Sequence, residues 1–281
     1  MAGTSRGYGA IAATILIWGS AYPITYIAER GVSPIALAAL RAAVGGAFLA
    51  VVFRRVKAGL REFIGGVINI ASMISLLNLS VFMVPNPSTA AIMFYTQPLF
   101  TALMTPFVFR RKVIWQQYVG IGVGIAGITS MTSMGVRPSY LPGILIGLAG
   151  GVVWALGTIY FERYLAEGDV PGETAFMSIA ATPVILAMWP LGLRMSLSPY
   201  YVGLDFYIAI VVQGLGWLFW FYAVKELGGV RAGALSMLTP VVAITFTALM
   251  LHESLTGIEA LGAGLIVLGS SLVQVGGLAG R

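Results

Sequence analysis

Charge is scarce in this chain: of 281 residues only 9% are Asp, Glu, Lys or Arg, against 58% hydrophobic. A soluble domain carries roughly a quarter charged residues, so a water-facing globule is excluded and the chain is expected to be embedded in a lipid bilayer. Cysteine is absent, which removes disulfides, thiolate zinc sites, iron–sulfur clusters and thiol nucleophiles. The single histidine, His252, cannot build a metal cluster, and neither a metal nor another cofactor is expected. No carboxylate pair is present and no serine stands with a recognisable base. An intramembrane enzyme is therefore the remote reading, and no catalytic residue is assigned. The net charge of +6 is not read as a nucleic-acid surface, because the basic residues occupy short loops, the pattern of membrane orientation.

Apolar runs of about 20 residues, the length that crosses a bilayer as a helix, recur throughout. The pattern predicts ten transmembrane helices, over 7–27, 34–53, 62–82, 88–109, 115–134, 142–161, 172–192, 202–221, 231–251 and 256–276. The first is expected to be a retained helix and not a cleaved signal peptide. With a cytoplasmic N-terminus, twelve basic residues lie inside: Arg6, Arg54, Arg55, Lys57, Arg61, Arg110, Arg111, Lys112, Arg163, Lys225, Arg231 and Arg281. Three lie outside, Arg30, Arg137 and Arg194, and Arg41 falls within the second span. This positive-inside bias predicts that both termini are cytoplasmic, with Asn86 and Arg137 on the outer side.

The two halves resemble each other. A shift of 142 residues brings Pro98 onto Pro240, Ala90 onto Ala232 and Gly120, Gly122 and Gly127 onto Gly262, Gly264 and Gly269. Near the start, a shift of 136 brings Trp18 onto Trp154. Each half holds five spans, an odd number, so residues 138–281 are expected to form a second five-helix repeat inverted relative to 1–137. Inverted repeats are a recurring plan of secondary transporters, which bind substrate near the midplane on helices interrupted by Pro or Gly. Pro98 removes the amide that would bond the Phe94 carbonyl, and Pro240 does the same to Ser236. A free carbonyl in the membrane must face protein, water or substrate, so these four positions are read as hinge and cavity. A structural kink is the alternative for either proline.

The early "LIWGSAYP", the "SPIALAALRAAVGG" segment with Arg41, the paired "YTQPLFTAL" and "LTPVVAITFTAL", and the closing "HESLTGIEALGAGLIVLG" with Glu253 carry a resemblance. The chain is similar to the ten-helix EamA branch of the drug/metabolite transporter (DMT) superfamily, over nearly its whole length. Within the branch, "IMFYTQP", "VVWALGTIY" and "WLFWFYAV" resemble YddG-type aromatic amino-acid exporters. The resemblance implies a bacterial inner-membrane protein that exports amino acids or related small metabolites. It also implies a central cavity walled by the first, third, fourth, sixth, eighth and ninth spans. Drug and nucleotide-sugar carriers of the superfamily are the alternative, as is proton-coupled antiport. The first half departs from the closing motif, with Arg110-Arg111 where the family often has Gly-Glu. A monomer or homodimer is expected.

All ten acidic residues fall in loops or near helix ends; Glu259 and His252 come closest to an interior titratable group. A proton-coupled transporter usually keeps such a group inside the membrane, so a facilitator is expected. The substrate would then meet neutral groups: the amides Asn78, Gln97 and Gln213, and the aromatics Trp18, Tyr95, Trp154, Trp217 and Trp220, which could stack on an apolar side chain. The alternatives are helix–helix contacts for the amides and packed or lipid-facing rings for the aromatics. Arg41 is read as a structural residue or a gate. Trp115, Tyr118, Trp189, Tyr200 and Tyr201 are expected to be interfacial anchors, and Gly120, Gly124, Gly262 and Gly269 to allow close helix packing.

Overall fold

The computed structural model describes residues 2–84, 87–110, 112–132, 138–188, 190, 192–251 and 257–278. Asn86, Arg111, Arg137, Trp189, His252, Glu253 and Arg281 lie outside them, as does the side chain of Glu259. Among the described residues the secondary structure is helical, apart from an isolated antiparallel bridge between Val32 and Met195. Helix α1 spans Ala2–Ala28 and α2 Pro34–Phe53, the latter opening on a proline whose missing N–H would have no partner in a first turn. The run Leu60–Met83 is continuous: α3 (Leu60–Gly65), a π-helical stretch Gly66–Ser72, and α4 (Met73–Met83). Then come α5 (Pro87–Phe94), α6 (Gln97–Phe109), α7 (Trp115–Thr132), α8 (Leu141–Tyr164) and α9 (Val170–Leu186). The run Pro199–Leu227 repeats the earlier pattern, with α10 (Pro199–Tyr207), a π-helical stretch Ile208–Leu215 and α11 (Gly216–Leu227). Helices α12 (Gly229–Ser236), α13 (Thr239–Leu251) and α14 (Gly257–Leu278) complete the chain.

Six helical runs are long and apolar enough to cross a membrane: Ser5–Ala28, Pro34–Phe53, Leu60–Met83, Leu141–Tyr164, Pro199–Leu227 and Gly229–Met250. Shorter apolar helices accompany them, among them Gln97–Phe109 and Val170–Leu186. The two prolines do not kink continuous helices. The chain breaks at Tyr95-Thr96 and again at Met237-Leu238, and Pro98 and Pro240 are each the second residue of the helix that follows. In a first turn the missing N–H costs nothing, because those donors have no intrahelical acceptor. The turns tighten across the breaks: Thr96 N–H donates to Met93 O, and Leu238 N–H to Leu235 O, both three residues back.

In lipid, apolar burial does not pull helices together, and close packing plus internal hydrogen bonds must do so. Two seams carry this. Helices α7 and α14 pack along each other, backbone to backbone. A Cβ on Gly120 would approach Gly269 O to 2.6 Å, and one on Gly127 would approach Gly262 O to 2.6 Å. Helices α2 and α9 form the other seam, with Gly46 seated on Ser178 and Ile179. It is tied at both ends. At one, Ser33 N–H donates to Arg194 O and Ser196 N–H to Gly31 O, each at 2.7 Å. At the other, Lys57 N–H donates to Gly172 O at 3.1 Å, and the Lys57 ammonium lies 2.9 Å from a buried Glu173 Oε1. That hydrogen bond holds the lysine above its usual pKa. Between the seams lies a core of buried aromatic and aliphatic residues from α1, α4, α8 and α11.

Candidate functional site

The core encloses a small cavity. Its walls come from α1, α2, α4, the Tyr95 break, α8, the second π-helical stretch and α11. Helix α1 presents Trp18, Ala21, Tyr22 and Thr25, the i, i+3, i+4, i+7 face of a helix. Helix α4 adds Leu77 and Val81 on one face, and Arg41 comes from α2. The other wall is aromatic. Trp18 meets Trp154 and Trp217 edge-on, each with ring centroids 5.4 Å apart, and Tyr95 meets Trp154 at 5.4 Å. These T-shaped contacts place the positive edge of one ring on the negative face of another. Trp18 Nε1–H donates to Val212 O at 3.3 Å, fastening α1 to the π-helical stretch. The space inside is about 30 Å³ for the centres of water-sized spheres, enough for two or three waters at roughly 10–15 Å³ each. In this conformation the cavity has less room than an amino acid fills.

Four of the aromatics singled out from sequence, Trp18, Tyr95, Trp154 and Trp217, line this cavity. Trp220 is fully buried behind them, 5.1 Å from Trp154 and 5.6 Å from Trp18 between ring centroids, and is not part of the lining. The amides go elsewhere. Asn78 Nδ2–H donates to Pro34 O at 3.0 Å, joining α4 to the start of α2, and its Oδ1 lies 3.4 Å from Arg41 Nη1. Gln97 Nε2–H donates to Thr101 Oγ1 at 2.8 Å and Thr158 Oγ1 at 3.1 Å, tying α6 to α8. Gln213 reaches Ser178 Oγ at 3.3 Å and packs beside Gly45, within the α2–α9 seam. Phe94 fills the space left by Gly150, and Ser236 Oγ–H donates to Gly233 O at 2.7 Å. Pro98 and Pro240 are outside the lining.

Arg41 is 2% exposed and lines the cavity. The charge nearest in effect is Glu29, one residue past the end of α1. It is 5% exposed, with both carboxylate oxygens lacking any hydrogen-bond partner. Burial pushes the Glu29 carboxyl well above the usual range, and Arg41 draws it part of the way back. Asp205 in α10 is likewise buried, with neither oxygen partnered. Sequence position puts Glu29 at a helix end, whereas Asp205 lies about two turns into the Pro199–Leu227 run, and it carries no signal that either would be enclosed. Tyr22, Thr25, Leu77 and Val81 were also missed. The helical spacing of Tyr22 and Thr25 from Trp18 was the available clue. The ninth span, implied to be a wall, contributes nothing to the lining, whereas the second contributes Arg41.

The profile of the EamA-like transporter family matches residues 5–133 and 141–275. The chain belongs to the EamA-like transporters and is a membrane protein of that family. Among curated relatives, the uncharacterized transporter YvbV of Bacillus subtilis is 25% identical over 94% of this chain and 90% of its own. The uncharacterized inner membrane transporter YedA of Escherichia coli is 27% identical, covering 96% of this chain and 90% of that one. A "probable amino-acid metabolite efflux pump" of Escherichia coli is 26% identical over 94% of each chain. One solved crystal structure superposes with a TM-score of 0.81 over 100% of this chain and 99% of its own, at 21% identity, a likeness of fold alone.

Proposed function

We propose that this transporter exports neutral amino acids, aromatic ones foremost, and related small metabolites across the bacterial inner membrane by alternating access. The observation that carries this reading is the cavity walled by Trp18, Tyr95, Trp154 and Trp217. Rings in that number suit a flat or apolar side chain. The amino-acid metabolite efflux pumps among the relatives point the same way. In this reading α3 to α4, α5 with α6, α10 to α11 and α12 with α13 are each one crossing, giving ten in all. Residues 1–137 and 138–281 are inverted repeats with both termini cytoplasmic. Three features support it: the two stretches matched by the family profile, π-helical stretches that begin at Gly66 and Ile208, and breaks at Tyr95 and Met237. Each of the last two pairs is separated by the 142 residues found in the sequence. Trp18, Tyr95, Trp154 and Trp217 contact substrate, with Trp220 behind them; Asn78, Gln97 and Gln213 hold the walls; Arg41 faces the cavity.

The test is efflux of radiolabelled phenylalanine, leucine and threonine from proteoliposomes holding the purified protein. Saturable efflux down the gradient, fastest for phenylalanine, is expected. Absence of flux for every amino acid, with flux of a drug or a nucleotide sugar, would overturn the reading. Facilitated export needs no ion, since an overfilled cytoplasm supplies the gradient and the membrane potential does no work on a zwitterion. Proton-coupled antiport is a second reading, favoured by the buried, unpartnered carboxylates of Glu29 and Asp205. Substrate accumulation driven by an imposed pH gradient alone, and abolished by a protonophore, decides for the second.

A further inference from the structure

The residues of the cavity wall include buried donors without partners. Among the described lining residues, two buried side-chain atoms make no hydrogen bond: Arg41 Nε and Trp154 Nε1. Both are donors, and neither side chain can accept. No lining residue offers an unpartnered buried acceptor. The guanidinium is also poorly matched elsewhere. Its hydrogen bond is a long one, 3.4 Å from Nη1 to the neutral Asn78 Oδ1. No carboxylate lies within ion-pair distance among the described residues, because the ion pairs formed involve Arg55 and Lys57. Glu29, whose two carboxylate oxygens both lack partners, makes no hydrogen bond to Arg41. A guanidinium inside the membrane is costly unless something accepts its hydrogen bonds, and a planar carboxylate fits its fork.

We propose that Arg41, whose side chain lines the cavity, is the receptor for a substrate carboxylate, so that this transporter selects its substrates as carboxylates. The inference rests on the export reading above and narrows its substrate class. Along α1 the cavity runs from Trp18 to Thr25, about 10 Å at 1.5 Å per residue. Once the cavity widens in the transport cycle, the carboxylate would lie at Arg41 and the apolar side chain among the Trp18, Tyr95, Trp154 and Trp217 rings. An ammonium meets only the neutral hydroxyl oxygens of Tyr22, Thr25 and Tyr95 in the lining, whereas the carboxylate meets a guanidinium, so the carboxylate is the stricter requirement.

Binding to the purified protein separates this claim from transport itself. Quenching of intrinsic tryptophan fluorescence, with three tryptophans in the cavity wall, is titrated with phenylalanine, 3-phenylpropionate and phenethylamine. The first two are expected to bind comparably, and the amine about 10- to 100-fold more weakly, the loss of a charge-assisted hydrogen bond. Arg41→Gln should weaken the two carboxylates by a similar factor and leave the amine unchanged, with Arg41→Lys in between. Equal binding of all three ligands, tighter binding of the amine, or binding of none overturns the proposal. The wild-type series decides even if Arg41→Gln fails to fold. Carboxylate binding without amino-acid flux would overturn the export reading and leave the carboxylate site standing.

Discussion

At the break after Phe94 the turn releases Tyr95, whose ring enters the cavity wall against Trp154. At the break after Ser236 it releases Met237, which is fully buried and turned away from the cavity. Met237 lies over Gly124, where a Cβ would run into its terminal methyl, so it fills the flank of the α7–α14 seam. The backbone is similar in both places, a tight turn closed by a bond three residues back, with a proline in the second position of the next helix. The side chain alone differs, and with it the task. The two breaks recur 142 residues apart, and the cavity lining does not follow that spacing: ten of the thirteen lining residues lie before residue 137, and Trp154, Val212 and Trp217 lie after it. One break faces the cavity and the other completes the packing that holds the helices together.

The most forceful way to break this contrast is to cut back the packing residue. Met237→Ala removes a fully buried side chain from a helix interface and should cost about 2–5 kcal/mol of stability, the range for such truncations in cores. Thermal unfolding in detergent would report it. The ratio of phenylalanine to threonine efflux should not change. A shifted ratio would mean that Met237 also meets substrate and that the two breaks do the same work.

Tyr95→Leu probes the other side and should act on selectivity more than on stability. Leucine keeps much of the apolar bulk but loses the ring, and an aromatic contact contributes about 0.5–1.5 kcal/mol beyond its buried area. Efflux of phenylalanine should therefore fall roughly two- to tenfold relative to threonine. Equal losses for both substrates would make Tyr95 a packing residue like Met237.

Sequence alone located the helices well where composition decides them. The predicted 34–53 is α2 to the residue, and the run read as 62–82 is Leu60–Met83. The α7–α14 glycines behave as small residues at a helix interface do, whereas Gly122 and Gly264, part of the same repeat, meet nothing within 4 Å. The π-helical stretches left no trace, because a widened turn is a property of packing and not of residue type. For the site, the aromatics were legible, since a tryptophan inside a span has few places to go. The amides were not. Whether Asn78 faces a cavity or the Pro34 carbonyl depends on helix rotation, and Asn69, which binds Gly65 O and Gly157 O, was not singled out at all. Arg41 was read as a gate or a structural residue because neither its depth nor its unpartnered Nε can be seen in one dimension.

The smallest effect on stability is expected at the prolines, and it carries the comparison into motion. Pro98 and Pro240 sit in first turns, so Pro98→Ala and Pro240→Ala remove no native hydrogen bond. They relax the unfolded chain, a change of about 0.4–1 kcal/mol. Alanine also restores an amide that could donate to Phe94 O or Ser236 O and run the helix straight through the break. If the breaks are hinges, the restored bond stiffens them, and exchange between inward- and outward-open forms slows several-fold while substrate affinity stays near the wild-type value. Efflux rates set against binding titrations of the same variants separate the two quantities. Equal slowing by both substitutions would mean that the backbone symmetry governs the motion although the side chains have diverged. Slowing by Pro98→Ala alone would mean that the break facing the substrate is the moving one, with the Met237 break held fast by the seam it fills. Unchanged exchange in both variants would remove the hinge role from the prolines and leave them as helix starts.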